Sequence, residues 1–434
     1  MIKTFEKILF EHEDSKLFKC GLAFFYLGAF LLPSAIILSV ILLLISLLIS
    51  LFKFRNNILF DKWNLPFIIA SILLILSTIF HINSYEITNT TLSEQSWDPK
   101  LAWVGLANWL PLFWSFWGFQ PYLKNLKLRR NLSLILLSGT FPVLVSGIGQ
   151  LLFQWYGPLQ ALNGLIVWYQ RPIANLTGIS GLFNNPNYAG AWLNLVWPFI
   201  IASFLQLRNK KLILINFIFA ITTLLFIVFT GSRSAWGGLV LSIPIMLGKK
   251  CLKWYVPIIL FISIIFLSII YPLFGQPFQI FMQKNIHQDL WIDFTKFGFL
   301  ELDASRLEIW KVTIKTILEK PFFGHGWSSF PSLFKIETGL WKGHTHNMPL
   351  ELAVSYGIPT ALLIVFQVSS ITFFAFRKTY TYKKRDTILN NFDKSWITSL
   401  ILIIIAHLVD VQYFDGRISL ASWILLAGAR NIIK

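Results

Sequence analysis

The chain has 434 residues, of which 55% are apolar and 13% are charged. Soluble globular proteins carry about 25% charged residues, so this composition excludes a soluble protein with polar faces on most of its helices. Aromatic residues make up 16% of the chain, and membrane interfaces favour Trp and Tyr. The net charge of +17 is divided among short basic clusters between apolar runs, and no nucleic-acid-binding signature accompanies it. The composition predicts a protein that crosses a membrane several times.

A helix needs about 20 apolar residues to cross a bilayer, and this length divides the chain into twelve predicted spans. They cover residues 18–33, 35–52, 65–82, 101–122, 132–155, 188–207, 212–230, 235–248, 254–274, 349–376, 396–412 and 418–429. The first two spans form one unbroken apolar run, and Pro33-Ser34 in its middle predicts a hairpin turn. The predicted fold class is an all-α, polytopic membrane bundle of about twelve transmembrane helices, with residues 1–434 as one membrane domain.

The distribution of basic residues predicts the orientation of these spans. With both termini in the cytoplasm, the cytoplasmic segments hold 25 of the 37 Lys and Arg residues but only 7 of the 20 Asp and Glu residues. This asymmetry is typical of cytoplasmic loops. The largest outward segment, residues 275–348, lies between spans nine and ten, and its length favours a functional role over a mere connection.

Arg233 lies in the run GSRSAW, residues 231–236, at the outer end of a span. It is the only charged residue between Leu212 and Gly248. An arginine in hydrocarbon costs about 2.5–3.5 kcal/mol on insertion scales, so it needs an interface, a cavity or an anion. It can extend to lipid headgroups. Alternatively, Ser234 caps the next helix, and the helix N-terminus binds a phosphate together with the guanidinium.

The outward segment contains one predicted soluble helix, because Ser305 and Glu308 fit a capping box and apolar residues follow at helical spacing. Arg306 lies in the first turn of this helix, where a cation opposes the helix dipole. It either pairs with Asp303 or Glu308, or it binds an anion together with the free backbone N–H groups.

The run KGHTHNMP, residues 342–349, directly precedes span ten. Asn347 is the predicted N-cap of that helix, which places His346 at the outer mouth of the bundle. A neutral histidine is the usual general base for an alcohol. A purely structural loop histidine and a metal ligand are the alternatives. His344 alternates with His346, but no cysteine or close carboxylate cluster completes a zinc-like set, and no metal is expected.

Two further groups of polar residues lie at the predicted outer surface. Asn187, in the run GLFNNPNYAG at 181–190, is the predicted N-cap of span six, and the amides there either bind sugar hydroxyls or organise the turn. Asp410, Asp415 and Arg417, at the outer ends of spans eleven and twelve, are candidates for an ion pair, and their positions alone indicate no role.

Two arginines and a histidine on one side of the bundle indicate a site for a lipid-linked anionic substrate.

At these residues the chain resembles the O-antigen ligase and polymerase superfamily. The similarity covers about residues 180–370 and is carried by NPNY at 185–188, GSRSAW at 231–236, the helix from Arg306 to Trp310 followed by PFFGHG at 321–326, and His346-Asn347 opening a helix with Gly357. Members are multi-spanning enzymes, similar to the GT-C-like glycosyltransferases. They take a glycan from undecaprenyl diphosphate at the periplasmic face of the inner membrane.

The resemblance implies roles for individual residues. Arg233 and Arg306 are expected to hold the diphosphate, and His346 is expected to activate the acceptor, with no nucleotide, metal or other cofactor. His344, two residues earlier, leaves the identity of the base open. Supporting roles are expected for Asn347, Asn187 and Ser234. The expected partners are an undecaprenyl-diphosphate-linked glycan, the lipid A core or another glycan acceptor, and membrane lipids.

Three functions are compatible with these features. The first is an O-antigen ligase, a glycosyltransferase with lipid A core as acceptor, and the second is a polysaccharide polymerase of the same superfamily. An inverting reaction is expected for either, because one base candidate and no convincing nucleophilic carboxylate are present. The third is a solute transporter, for example for bicarbonate. A transporter favours charged or broken helices at the bilayer midplane and paired repeats, whereas the notable charges here lie at helix ends.

Overall fold

The computed structural model describes residues 15–54, 61–82, 98, 100–173, 178–285, 305–381 and 387–434. The helices are α1 (Lys16–Leu31), α2 (Ile36–Phe54), α3 (Leu65–Ile82), α4 (Leu101–Ala107), α5 (Leu110–Gly118), α6 (Leu126–Gly139), α7 (Phe141–Phe153), α8 (Pro186–Gln206), α9 (Lys210–Phe229), α10 (Arg233–Leu247), α11 (Leu252–Ile270), α12 (Gln276–Asn285), α13 (Arg306–Glu319), α14 (Phe330–Thr338), α15 (Met348–Tyr356), α16 (Ile358–Thr381), α17 (Thr387–His407) and α18 (Gly416–Ile433). Short 3-10 turns cover Gln120–Leu123, Leu162–Gly164, Lys249–Cys251 and Gln412–Phe414. The all-α prediction is confirmed for these ranges.

A small antiparallel hairpin accompanies the helices. Strand β1 (Leu159–Ala161) pairs with β2 (Ile166–Trp168), with Leu159 opposite Trp168. The indole N–H of Trp168 donates to the Ser34 carbonyl at 2.7 Å. This bond anchors the hairpin to the turn between α1 and α2.

The predicted turn at Pro33-Ser34 is confirmed, because α1 ends at Leu31 and α2 begins at Ile36. The two helices approach closely at Gly28, where a Cβ atom would lie 2.8 Å from the Leu43 side chain. The hydroxyl of Ser39 donates to the Gly28 carbonyl at 2.7 Å. Small residues and interhelical hydrogen bonds are the usual basis of helix packing in lipid.

Five of the described helical stretches are long and apolar enough to cross a membrane. They are Leu126–Phe153, Pro186–Gln206, Lys210–Phe229, Lys249–Ile270 and Ile358–Thr381, and shorter apolar helices cover Ile36–Phe52, Leu65–His81 and Arg233–Leu247. Length and composition therefore support a multi-pass membrane protein, and the number of twelve spans stays a prediction.

Three of the predicted spans are interrupted, and one of them, 132–155, is divided into α6 and α7 at Thr140. The span at 101–122 is divided into α4 and α5, with the break before Leu110. Span ten is divided into α15 and α16 at Gly357, whose φ is +88°. A Cβ atom there would lie 2.1 Å from the Phe322 carbonyl oxygen, so the break brings the chain before α14 against the start of α16.

Helix α8 lies at the centre of the bundle and contacts α6, α9, α10 and α17. Its Trp192 donates to the Thr140 hydroxyl at 3.0 Å, and its Leu195 carbonyl accepts from Ser399 at 2.6 Å. Near its start, Gly190 permits close contact with Ala235 of α10, where a Cβ atom would approach to 2.8 Å. The beginnings of α8 and α10 are thereby held side by side.

Buried ion pairs hold α17 and α18 at the ends away from the 408–415 segment that joins them. Arg129 contacts Asp393 of α17 at 2.7 Å, and Arg430 of α18 contacts Asp61 at 2.8 Å. Removing one partner of a buried pair costs about 3–5 kcal/mol. These pairs therefore contribute to the placement of both helices, and hence of the segment between them.

Within residues 275–348, the described helices are α12, α13 and α14. The predicted capping box of α13 is confirmed, since Ser305 accepts from the Glu308 N–H and the Glu308 carboxylate accepts from the Ser305 N–H. After α13, the His325 N–H donates to the Val354 carbonyl at 2.8 Å. This contact fixes α13 against α15.

Candidate active site

His346 and Asp410 form the central contact of the site. Nδ1 of His346 lies 3.0 Å from Oδ1 of Asp410. The His346 side chain is 28% exposed, whereas the Asp410 side chain is 8% exposed. With an ionised Asp410, the Nδ1–H tautomer donates to the carboxylate, and Nε2 keeps its lone pair for a ligand. A carboxylate that orients a histidine in this way is a common feature of general-base sites.

The conformation of His346 is unusual, with φ at +53°. Left-handed backbone costs a non-glycine residue about 1–2 kcal/mol, so it persists only where the surroundings impose it. One constraint is Asn347, the predicted and confirmed N-cap of α15, whose side chain accepts from the Leu350 N–H at 3.0 Å. The same side chain donates to the Leu408 carbonyl at 2.9 Å, which ties the His346 loop to the 408–415 segment.

Asp410 lies in the segment between α17 and α18 and is largely buried. Burial acts to raise its pKa, but the hydrogen bond from His346 and the charges of His344 and His346 outweigh burial, so the pKa of Asp410 is lowered from its ordinary value. The Val411 N–H also donates to the carboxylate at 2.9 Å. Asp410 is therefore the ionised partner of the pair near neutral pH.

His344 lies beside His346, with 4.3 Å between the ring centroids. Its Nδ1 accepts from the His346 backbone N–H at 3.3 Å. Burial lowers the pKa of His344 to about 4, and the charge of His346 acts in the same direction. The Arg306 guanidinium contributes to the same lowering, which places its charge in the electrostatic environment of the two histidines.

Arg306 and Arg233 are each the first residue of a helix, α13 and α10 respectively, and both are exposed. Arg233 is linked to the histidines through its neighbour Ser234, whose hydroxyl accepts from the Gln412 side chain at 3.2 Å. Gln412 lies two residues after Asp410. The described contacts thus link Ser234, the neighbour of Arg233, to the 408–415 segment, and the charge of Arg306 acts on His344.

Two predicted caps were wrong by two residues. The N-cap of α8 is Asn185, whose side chain accepts from the Asn187 N–H at 2.8 Å, so Asn187 lies inside the first turn. The N-cap position of α10 is Ser232, and Ser234 instead contacts the Ser232 hydroxyl at 3.1 Å. In both runs several adjacent residues favour capping, so the sequence alone did not select one of them.

Helix N-termini surround the 408–415 segment. Those of α10 and α15 contact it through Ser234 and Asn347, and α18 begins directly after it with Asp415 as N-cap. The predicted ion pair between Asp415 and Arg417 is confirmed at 2.6 Å, and Arg417 donates to the Leu182 carbonyl in the turn before α8. N-termini carry partial positive charge, so their convergence suits an anionic ligand.

His344, His346 and Asp410 also form a possible metal site. One ligand atom from each residue lies within 4.8 Å of the other two. Two imidazoles and a carboxylate are a ligand set that Zn²⁺ and other divalent transition metals accept. The sequence reasoning found no carboxylate to complete such a set, because Asp410 is distant along the chain.

An apolar cavity of about 190 Å³ is lined by Met348 and Pro349 at the start of α15 and by Leu408, two residues before Asp410 in the chain. Trp109 and Trp423 also line it. The cavity lies between α15, α16, α17 and α18 and is suited to hydrocarbon.

Sequence reasoning gave no role to Asp410, Glu351 or Trp310. Glu351 accepts from the Thr345 N–H at 2.9 Å, and the Trp310 indole donates to the Thr345 carbonyl at 3.0 Å. The available signal was an acidic residue inside an apolar span, at Glu351, and another at the end of a span, at Asp410. Intramembrane ionisable residues generally indicate function.

Comparison with known proteins finds similarity over part of this chain. Residues 217–365 match the family described as O-Antigen ligase, and this range includes Arg233, Arg306 and His346. The chain is also 32% identical over 146 residues to the ComP-specific O-oligosaccharyltransferase of Acinetobacter baylyi (strain ATCC 33305 / BD413 / ADP1), and the matched part covers 32% of this chain and 25% of that protein. The matched part of the chain is therefore similar to the O-antigen ligase family and to this transferase.

Proposed function

We propose that this protein transfers a glycan from an undecaprenyl-diphosphate-linked donor to an acceptor hydroxyl, as an O-antigen ligase does. In this proposal His346 is the general base, Asp410 orients it, and Arg233 and Arg306 hold the diphosphate. The observation that carries the proposal is the 3.0 Å contact between His346 and Asp410, where helix N-termini converge.

The proposed reaction is a single displacement at the anomeric carbon. The acceptor oxygen attacks that carbon while the bond between the carbon and the diphosphate oxygen breaks. Nε2 of His346 takes the hydroxyl proton, and the departing lipid diphosphate takes the electron pair. A positioned base contributes about 10²–10⁴ in rate. The ionised Asp410 stabilises the imidazolium that forms.

The two arginines stabilise the departing diphosphate in this proposal. Guanidinium groups bind phosphate oxygens through two hydrogen bonds each, and fixed donors aimed at developing charge lower the barrier. Arg233 and Arg306 each begin a helix, so backbone N–H groups and the helix dipole add to their effect. No metal ion is required to balance the charge.

The proposed location is the inner membrane, with both termini in the cytoplasm and the site at the periplasmic face. The distribution of Lys and Arg supports this orientation. Residues 275–348 then form a periplasmic loop, and residues 180–370 the catalytic region of a single membrane domain. The apolar cavity lined by Met348, Pro349 and Leu408 suits the hydrocarbon of a lipid-linked substrate.

The proposed acceptor is a sugar of the lipid A core, and a growing polysaccharide chain is the alternative within the same chemistry. The name of the Acinetobacter baylyi relative describes an O-oligosaccharyltransferase specific for ComP. This favours, as a second candidate, transfer of the glycan to one dedicated acceptor other than lipid A core.

Gene deletion with complementation tests the proposed function. We expect deletion to remove glycan-capped lipid from surface polysaccharide gels and to increase the lipid-linked donor, and the wild-type gene to restore both. His346→Ala, Arg233→Ala and Arg306→Ala are expected to fail at normal protein levels. Full rescue by His346→Ala would exclude it as the base. Unchanged donor levels together with loss of solute uptake would favour a transporter.

A further inference from the structure

We infer that Glu351 and Trp310 are positioning residues that hold His346 by binding the backbone of Thr345 from two sides. This inference rests on the proposed role of His346 as base. It assigns a task to a buried carboxylate and an indole N–H that do not themselves touch the reacting groups.

The two hydrogen bonds to the Thr345 backbone form a clamp, and Glu351 provides the first of them. Its Oε2 accepts from the Thr345 N–H at 2.9 Å, and the residue is 3% exposed in the first turns of α15. A buried carboxylate is costly unless it is hydrogen-bonded. An apolar side chain would fill the same space without that cost. The N-terminus of α15 and the Thr345 N–H offset the cost of burying the Glu351 carboxylate.

The second side is Trp310, which belongs to a different element. Its indole N–H donates to the Thr345 carbonyl at 3.0 Å from the second turn of α13. Both backbone polar groups of Thr345 are therefore bound by side chains, one from α15 and one from α13. Thr345 itself is fully buried, and its hydroxyl donates to the Asn347 carbonyl at 2.8 Å.

The clamp restrains the residue next to the left-handed backbone of His346. Thr345 directly precedes His346, whose left-handed φ of +53° is uncommon for a non-glycine residue. Such a conformation persists only where its surroundings over-determine it. A displacement of about 1 Å at a reacting group lowers the rate by about 10²-fold. Releasing Thr345 would therefore move the imidazole away from both Asp410 and the acceptor.

The test compares substitutions that remove one hydrogen bond each. Glu351→Leu removes the acceptor, whereas Glu351→Gln keeps an oxygen for the Thr345 N–H and removes the charge. Trp310→Phe keeps an aromatic ring and removes the donor. In purified protein in proteoliposomes, we expect kcat to fall about 10- to 100-fold for Glu351→Leu and Trp310→Phe. Donor KM should stay within about twofold, and Glu351→Gln should retain most of the wild-type kcat.

Amide hydrogen exchange reports the clamp independently of activity. Glu351→Leu and Trp310→Phe are expected to increase exchange in peptides that cover residues 343–348 and to leave those of α8 unchanged. Trp168→Phe is the matched control, because it removes an indole bond to a carbonyl in the β hairpin. It is expected to leave kcat unchanged. If the Glu351→Leu protein does not accumulate in cells, the Trp310→Phe protein alone provides the test.

Three outcomes would overturn the inference. The first is a wild-type kcat in both single variants, Trp310→Phe and Glu351→Leu. Unchanged exchange at residues 343–348 in both variants is the second. The third is equal loss of kcat in Glu351→Gln and Glu351→Leu, because charge and not the hydrogen bond would then matter. An active His346→Ala would instead refute the proposed base, and the exchange data would still report the clamp.

Discussion

His346 and Asp410 are 64 residues apart in the chain, yet the imidazole Nδ1 of one lies 3.0 Å from a carboxylate oxygen of the other. The contact joins the loop before α15 to the segment between α17 and α18. In the proposed function this contact orients His346 as the base. It also makes Asp410 the most direct target for testing the proposed chemistry.

Asp410→Asn is expected to lower kcat by about 10²–10⁴-fold with little change in donor KM. The amide can present its NH₂ group to Nδ1 and so stabilise the tautomer that has its proton on Nε2. Steady-state transfer in proteoliposomes measures both constants. Glu337→Gln, which removes a carboxylate from an exposed pair with Lys315, is the control and should behave as wild type. An equal kcat for Asp410→Asn and wild type would contradict the orienting role.

Arg233→Ala and Arg306→Ala are each expected to lower kcat/KM for the donor by about 10- to 100-fold. Hydrogen bonds to charged groups contribute about 1.5–3 kcal/mol, which corresponds to that range. Lysine at either position should restore part of the loss, since it keeps the charge without the two-pronged geometry. Arg171→Ala removes an exposed arginine from the segment before α8 and is the control. An unaffected Arg233→Ala would remove that residue from the diphosphate site.

Asn347 is expected to contribute separately to stability and to activity. Asn347→Ala removes the N-cap of α15 and should lower the free energy of unfolding by about 0.5–2 kcal/mol. Asn347→Asp keeps an acceptor for the Leu350 N–H but loses the bond to the Leu408 carbonyl. It should therefore stay stable and lose activity. Thermal unfolding and transfer rates measure the two effects.

The control for Asn347 is another capping asparagine. Asn209 caps α9 by accepting from the Lys211 N–H at 2.9 Å, away from the candidate site. Asn209→Ala is expected to lower stability by a similar amount and to leave the transfer rate unchanged. If Asn347→Asp were fully active, the link between the two segments would be unnecessary for catalysis.

Chelation distinguishes a general-base role of His346 with Asp410 from a metal site formed by His344, His346 and Asp410. We expect EDTA to leave the transfer rate unchanged, because guanidinium groups balance the charge of the diphosphate. Loss of activity that a single divalent ion restores would mean that these three residues hold a catalytic metal. The measurement is the initial rate before and after dialysis against chelator.

The stereochemistry of the product tests the single displacement. A base without a nucleophilic carboxylate predicts inversion at the anomeric carbon. NMR of the donor glycan and of the glycan linked to the acceptor gives both anomeric configurations. Retention would contradict direct attack by the acceptor and would require a covalent intermediate.

Local features of the fold were predictable in detail. The capping box at Ser305 and Glu308 and the N-cap at Asn347 depend on residues within three positions of one another, so the sequence contains all the information they need. The caps of α8 and α10 were misplaced to Asn187 and Ser234. Both runs contain several residues that favour capping, and the structure places the caps at Asn185 and Ser232.

The sequence by itself determined that this protein is a multi-pass helical membrane protein, because apolar runs of sufficient length have few other stable states. It also indicated Arg233, Arg306 and His346 as candidate site residues, from their positions at helix starts and from the resemblance to a known family. Only the tertiary structure decided that Asp410 meets His346 and that Glu351 and Trp310 bind Thr345. These contacts join segments that are close only after the helices pack, and the spacing of residues along the chain does not encode that packing.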